Sequence, residues 1–96
     1  MITNFKTLKA QEVFNGVISA TSKKLPLDLH PDIQCIFDCI NAIRKLDTLQ
    51  KISGRCLERL YGEFASFFGV RVTSKWCVIF KWEHGAASDV DVISYR

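Results

Sequence analysis

The sequence ends on Tyr95-Arg96, a phenol beside a guanidinium. A phenol stacks on flat rings and both donates and accepts a hydrogen bond, whereas a guanidinium keeps its charge and presents a rigid fork of donors. A strand that delivers this pair is placing it, so the elements that hold it matter most. The other side chains with chemistry are Cys35, Cys39, Cys56 and Cys77 and two histidines, His30 and His84. Cys35 and Cys39 fall on one helical face, where they could join His30 around a metal, but the C-x2-C pair of a zinc site is absent. Small buried thiols in a core are the better reading of the cysteines. His30 reads as structural at a helix start, and His84 as a turn residue before Gly85.

The positioning elements follow from periodicity. FASFFGVRV, WCVIFKW and VDVISYR are apolar, β-branched runs separated by TSK and EHGAASD, which predicts three consecutive antiparallel strands from Phe64 to Arg96. In the middle one, Trp76, Val78, Phe80 and Trp82 share one side and Cys77, Ile79 and Lys81 the other, so both faces are apolar, as in a central strand. Upstream, CLERL alternates and predicts a further strand at 57–60, ending in a Tyr61-Gly62 corner. Ile33, Ile36, Phe37, Ile40, Ile43 and Leu46 predict a helix from about Pro31 to Leu46, with Asp28 as its cap and Asp32, Asp38, Asn41, Arg44 and Lys45 toward water. Thr7 predicts the cap of a shorter helix from Leu8 to Phe14, ended at Asn15-Gly16, after a short strand at ITNF. Residues 17–27 read as a surface linker, and Asp47 to Gly54 as a turn-rich bridge. The expected architecture is α+β, a small antiparallel sheet against two N-terminal helices in the order β-α-α-β-β-β-β.

Composition sets the frame around these elements. A chain of 96 residues with 48% apolar and 24% charged residues describes one soluble domain with a packed core over residues 1–96. No run approaches the ~18 apolar residues of a membrane span. Polar Asn4, Lys6, Lys9, Gln11 and Glu12 occupy the stretch where a signal peptide would be apolar, so a cytoplasmic location is expected. A net charge of +3 is below what a dedicated duplex binder carries, yet it permits an RNA partner or an acidic protein partner.

Taken together, MITNFK, AIRKLDTL, LERLYG, RVTSKWCVIFKW and DVDVISYR resemble the HigB-type toxins of the RelE/ParE superfamily, the plasmid-maintenance killer type. The resemblance spans nearly the whole chain and is most specific over residues 57–96. There the family has a leucine-rich strand with a Gly corner, a hairpin of the form RVN-x-x-WR with an FxW strand, and a last strand ending in Asp-Tyr-His. The resemblance implies the same antiparallel sheet and two helices. It also implies a toxin that cleaves messenger RNA on the ribosome without metal or other cofactor, held inactive by a HigA-like helix-turn-helix antitoxin.

Such cleavage needs a base for the ribose 2′-OH, cations for the phosphate and an acid for the leaving 5′-oxygen. Position by position, the resemblance carries over to Tyr95, at the family's penultimate Tyr, and to Arg71, in its hairpin. Arg96 stands where the terminal His would be and is assigned as a phosphate clamp, giving Arg71, Tyr95 and Arg96 as the catalytic set. Arg59, Lys75 and Tyr61 are assigned to RNA binding, while Lys81 reads as a surface charge. The chain departs from the pattern at Cys77, where the family has Arg, and at Ser94, where it has Asp. Two alternatives remain open: a catalytically impaired relative acting through antitoxin binding and autoregulation, and a ParE-like toxin with a non-RNA target.

Overall fold

Thr7 opens the first helix as expected, with an extended backbone and an Oγ1 that accepts from the Ala10 amide at 3.4 Å. In the computed structural model, which describes residues 1–94, α1 (Leu8–Phe14) buries Ala10 and Val13 and stops at Asn15. Tyr95 and Arg96 lie outside the described residues. The segment before α1 runs beside the last strand through two parallel bridges, Ile2 to Ala87 and Phe5 to Val90. The Thr3 amide donates to Ala87 O at 2.8 Å and the Lys6 amide to Val90 O at 2.9 Å.

Residues 17–27 are not a surface linker. They contain a 3-10 turn at Ser22–Lys24, a second follows at Leu27–Leu29, and Ser22 and Leu25 are fully buried. The inward pull comes from His30, whose Nε2 lies 3.1 Å from both the Ser22 and the Leu25 carbonyl. A buried imidazole N–H here satisfies backbone oxygens that the tight turn would otherwise strand. That bonding commits His30 to a structural role.

α2 (His30–Ala42) carries Pro31 in its first turn and buries Ile33, Ile36, Phe37 and Ile40, the stripe that the spacing predicts. It ends about one turn short of Leu46. Ile43 adopts an extended backbone (ψ 151°) yet stays buried, so the apolar pattern continues into the core after the helix has stopped. The bridge that follows contains a third helix, α3 (Thr48–Ser53), whose sequence signal is faint because it buries only Leu49. Local bonds hold it: Ser53 Oγ donates to Leu49 O at 2.7 Å.

β1 (Leu57–Arg59), β2 (Phe68–Arg71), β3 (Trp76–Glu83) and β4 (Ala86–Ser94) form one antiparallel sheet in that order. Phe64, expected to start a strand, ends a 3-10 turn at Gly62–Phe64, and its ring meets Phe67 edge-on at 5.8 Å. The stretch read as a seven-residue turn narrows to His84-Gly85, with φ of 53° and 75°. Two positive φ values in succession are the twist of a tight hairpin, which Gly adopts without strain. A register shift in β3–β4 between Ile79 and Lys81 coincides with Asp89 at φ 49° and bends the last strand.

The helices cover one face of the sheet. Val70, Val78, Phe80, Val90 and Val92 meet Ile33, Ile36, Phe37 and Ile40 in one buried cluster, with Trp76 and Trp82 packed against it. Phe37 also meets Phe5 and Phe14, at centroid distances of 5.4 and 6.2 Å. The cysteines correct the core-thiol reading: Cys77 is buried, Cys39 is half-buried, and Cys35 and Cys56 are exposed. On α2 the buried positions are 30, 33, 36, 37 and 40, which leaves Cys35 on the solvent side.

Gly69 serves a close approach. A Cβ there would stand 2.9 Å from Cys77 Sγ and 3.2 Å from a Leu60 methyl. Gly69→Ala is therefore expected to cost about 1–3 kcal/mol, read as a lower urea midpoint. Adding Cys77→Ala to it should recover part of that loss, a coupling that would be zero if the two sites did not touch.

Candidate functional site

Directly opposed residues in an antiparallel pair share a face of the sheet. The register Arg71 to Cys77 and Cys77 to Ile93 therefore sets these three in one row on the face away from the helices. Glu58, Gly69, Ile79 and Asp91 make the next row. This face has its own small core of Phe67, Cys77 and Ile79, with Leu60, Phe64 and Ile93 against it. The 60–67 segment folds over the strands, fixed by the Leu60 amide donating to Phe67 O at 3.1 Å. Between that segment and the end of β4 lies a cleft of about 380 Å³ lined by Leu60, Tyr61, Glu63, Phe64, Cys77, Ile93 and Ser94.

Arg71 reaches water at the end of β2, its Nη2 3.5 Å from Glu58 Oε2. An exposed pair of this length contributes about 0–1 kcal/mol, so the Glu58 carboxylate is a weak competitor to a phosphate. The Arg55 side chain braces the same strand end, donating to Arg71 O at 3.1 Å and Val72 O at 3.2 Å. Tyr61 stands at the cleft mouth, 81% exposed. Arg59 is elsewhere: it pairs with Phe68 and lies 5.6 Å from that ring, which packs against the helix-side core. Lys75 sits in the β2–β3 turn, its Nζ 5.6 Å from the Trp76 ring. Among the described candidates, then, Arg71 and Tyr61 share the open face with the cleft, and Arg59 does not. Tyr95 and Arg96 follow Ser94 in the sequence but lie outside the described residues.

Two cations on this face carry more than the sequence reading gave them. Lys81 Nζ lies 5.3 Å from the Phe67 centroid and Lys6 Nζ 5.4 Å from the same ring. Strand alternation already placed Lys81 beside Cys77 and Ile79. For Lys6 there was no such signal, because its position depends on the pairing of residues 1–6 with β4, far away in sequence. Lys81 also pairs with Asp89 at 3.5 Å. The Asp89 carboxyl is held below the usual range, chiefly by a hydrogen bond from Asn4, with Lys81 and Lys6 adding to it and burial opposing. Asp91 is committed to structure: buried, it accepts from Thr7 Oγ1 at 2.6 Å and from Val92 N at 2.8 Å, with Lys9 Nζ at 3.4 Å.

Among the described residues no group of three or more His, Cys, Asp and Glu could hold a metal ion, and no helix is long and apolar enough to cross a membrane. An antiparallel sheet backed by helices on one face, with cations and aromatic rings on the other, is the α+β architecture of a RelE-like protein. The model of the HigB-like toxin family, described as RelE-like toxin of type II toxin-antitoxin system HigB, matches residues 6–93, and the chain belongs to that family. No curated protein matches it. The protein is the toxin of a type II toxin-antitoxin system, which implies an antitoxin as its partner.

Proposed function

We propose that this toxin is a ribosome-dependent, metal-independent endoribonuclease that cuts messenger RNA, and that a HigA-like helix-turn-helix antitoxin restrains it in the cytoplasm. The observation that supports this reading best is the cleft on the open face. Arg71 stands in register with its wall residue Cys77, and Ser94, directly before Tyr95-Arg96 in the sequence, lines its rim. In this reading a ribose 2′-OH loses its proton and attacks the adjacent phosphorus. The P–O5′ bond breaks, leaving a 2′,3′-cyclic phosphate and a protonated 5′-OH. Arg71 and Arg96 hold the phosphate oxygens as charge builds on them. Tyr95 orients or protonates a reacting oxygen and stacks on the neighbouring base.

Induced expression of the wild type, scored for growth and for cuts in translated messages, tests the proposal directly. Growth arrest with cleavage confined to translated messages is expected, and Tyr95→Phe and Arg96→Ala should each reduce it. Harmless accumulation of folded wild type would sink the proposal. Cys77, a buried residue that supplies no positive charge, favours a second reading, a relative that binds antitoxin without cutting RNA. Intact antitoxin binding without cleavage would select that one, and DNA damage in place of translational arrest would indicate a non-RNA target.

A further inference from the structure

We propose that Cys35 and Cys39 form a two-thiol site for a soft, thiophilic metalloid or metal centre, with trivalent arsenic the best fit. The two stand on α2, four positions apart, where side chains face one another with Cβ atoms about 5–6 Å apart. Cys35 is exposed, while Cys39 is half-buried against the helix-side core. The thiols sense each other: burial first, then the charge of Cys35 and a hydrogen bond with it, and then Asp38, push the Cys39 thiol above its ordinary range. Cys39 is thus a neutral thiol at neutral pH, and Cys35 is the open point of entry.

The spacing chooses the chemistry. A disulfide wants Cβ atoms about 3.5–4.5 Å apart, so joining these sulfurs directly would pull α2 out of helical geometry. One atom inserted between them spans the longer gap with the helix intact. Zinc asks for four ligands, and among the described residues no group of three or more candidate ligands exists; His30 is already bonded to two carbonyls. A soft centre content with two sulfurs remains. An arsenical bearing one carbon substituent matches best, since it has two valences left for thiols. In the reaction two As–S bonds form, and the oxygen of R–As=O leaves as water with both thiol protons. Arsenic stays trivalent, so no oxidant or reductant is needed.

The probe is phenylarsine oxide, one equivalent added to the reduced full chain in excess glutathione and read by intact mass. One phenylarsenic adduct per chain is expected, stable to the monothiol and removed by dithiothreitol, with the far-ultraviolet dichroism of the loaded protein unchanged. The adduct should be lost in Cys35→Ser and in Cys39→Ser, each checked for native dichroism, and kept in Cys56→Ser. An adduct that persists in either single variant overturns the proposal, as does a wild type left unloaded under glutathione. Ready formation of a Cys35–Cys39 disulfide in air would overturn the spacing on which it rests.

Discussion

Arg71→Ala is expected to lower message cleavage by roughly 10²–10³-fold, the usual loss when one stabiliser of transition-state charge is removed. The side chain is exposed, and its ion pair with Glu58 is long, at 3.5 Å, and worth about 0–1 kcal/mol, so the fold should survive: the thermal midpoint is expected to stay within about 5 °C. Loss of activity with stability retained is what separates a site residue from a structural one. Arg59→Ala is the matched control, since that cation lies over Phe68 toward the helix side and should reduce cleavage far less. The readout is primer extension on a translated message at equal levels of folded toxin, with antitoxin binding as a second check of integrity. Arg71→Ala cleaving at the wild-type rate would remove Arg71 from the site. Equal losses in both variants would point to general electrostatic attraction of RNA instead of a placed guanidinium.

What the sequence made legible was whatever repeats with a short period. The β3 alternation separated Trp76, Val78 and Phe80 from Cys77, Ile79 and Lys81, and the structure places those two sets on opposite faces. The α2 stripe was equally plain, because a helix face buried over several turns repeats its apolar residues. Features held by single long-range contacts were not legible. Leu25 and Ser22 are buried because an imidazole from the start of α2 bonds their carbonyls, and no local pattern encodes that. Phe64 looked like strand because it opens the aromatic run FASFF, but ring contact with Phe67 folds it over the open face. The same limit applies to the site. Arg71 could be found from the hairpin motif, whereas its separation from Arg59 depends on pairing register, which decides the face each side chain takes.

Phe37→Ala should give the largest stability loss, about 3–5 kcal/mol, against a total of about 5–15 kcal/mol for a domain of this size. Phe37 is fully buried and touches the rings of both Phe5 and Phe14. Removing it opens a cavity where α2, α1 and the N-terminal segment meet. Phe5 is also the residue that bridges to Val90 on β4, so the cavity loosens the segment that carries Lys6 to the open face. The thermal midpoint is expected to fall by more than about 10 °C, and Phe37→Leu, which fills most of the space, should fall much less. Toxicity should drop with the amount of folded protein, unlike the Arg71 variant, whose amount is unchanged. Because the antitoxin binds the folded toxin, co-expression should raise the yield of Phe37→Ala by mass action. A Phe37→Ala protein that melts like the wild type would show that the aromatic trio does not anchor the N-terminal segment, and Lys6 would then need another reason to sit beside Phe67.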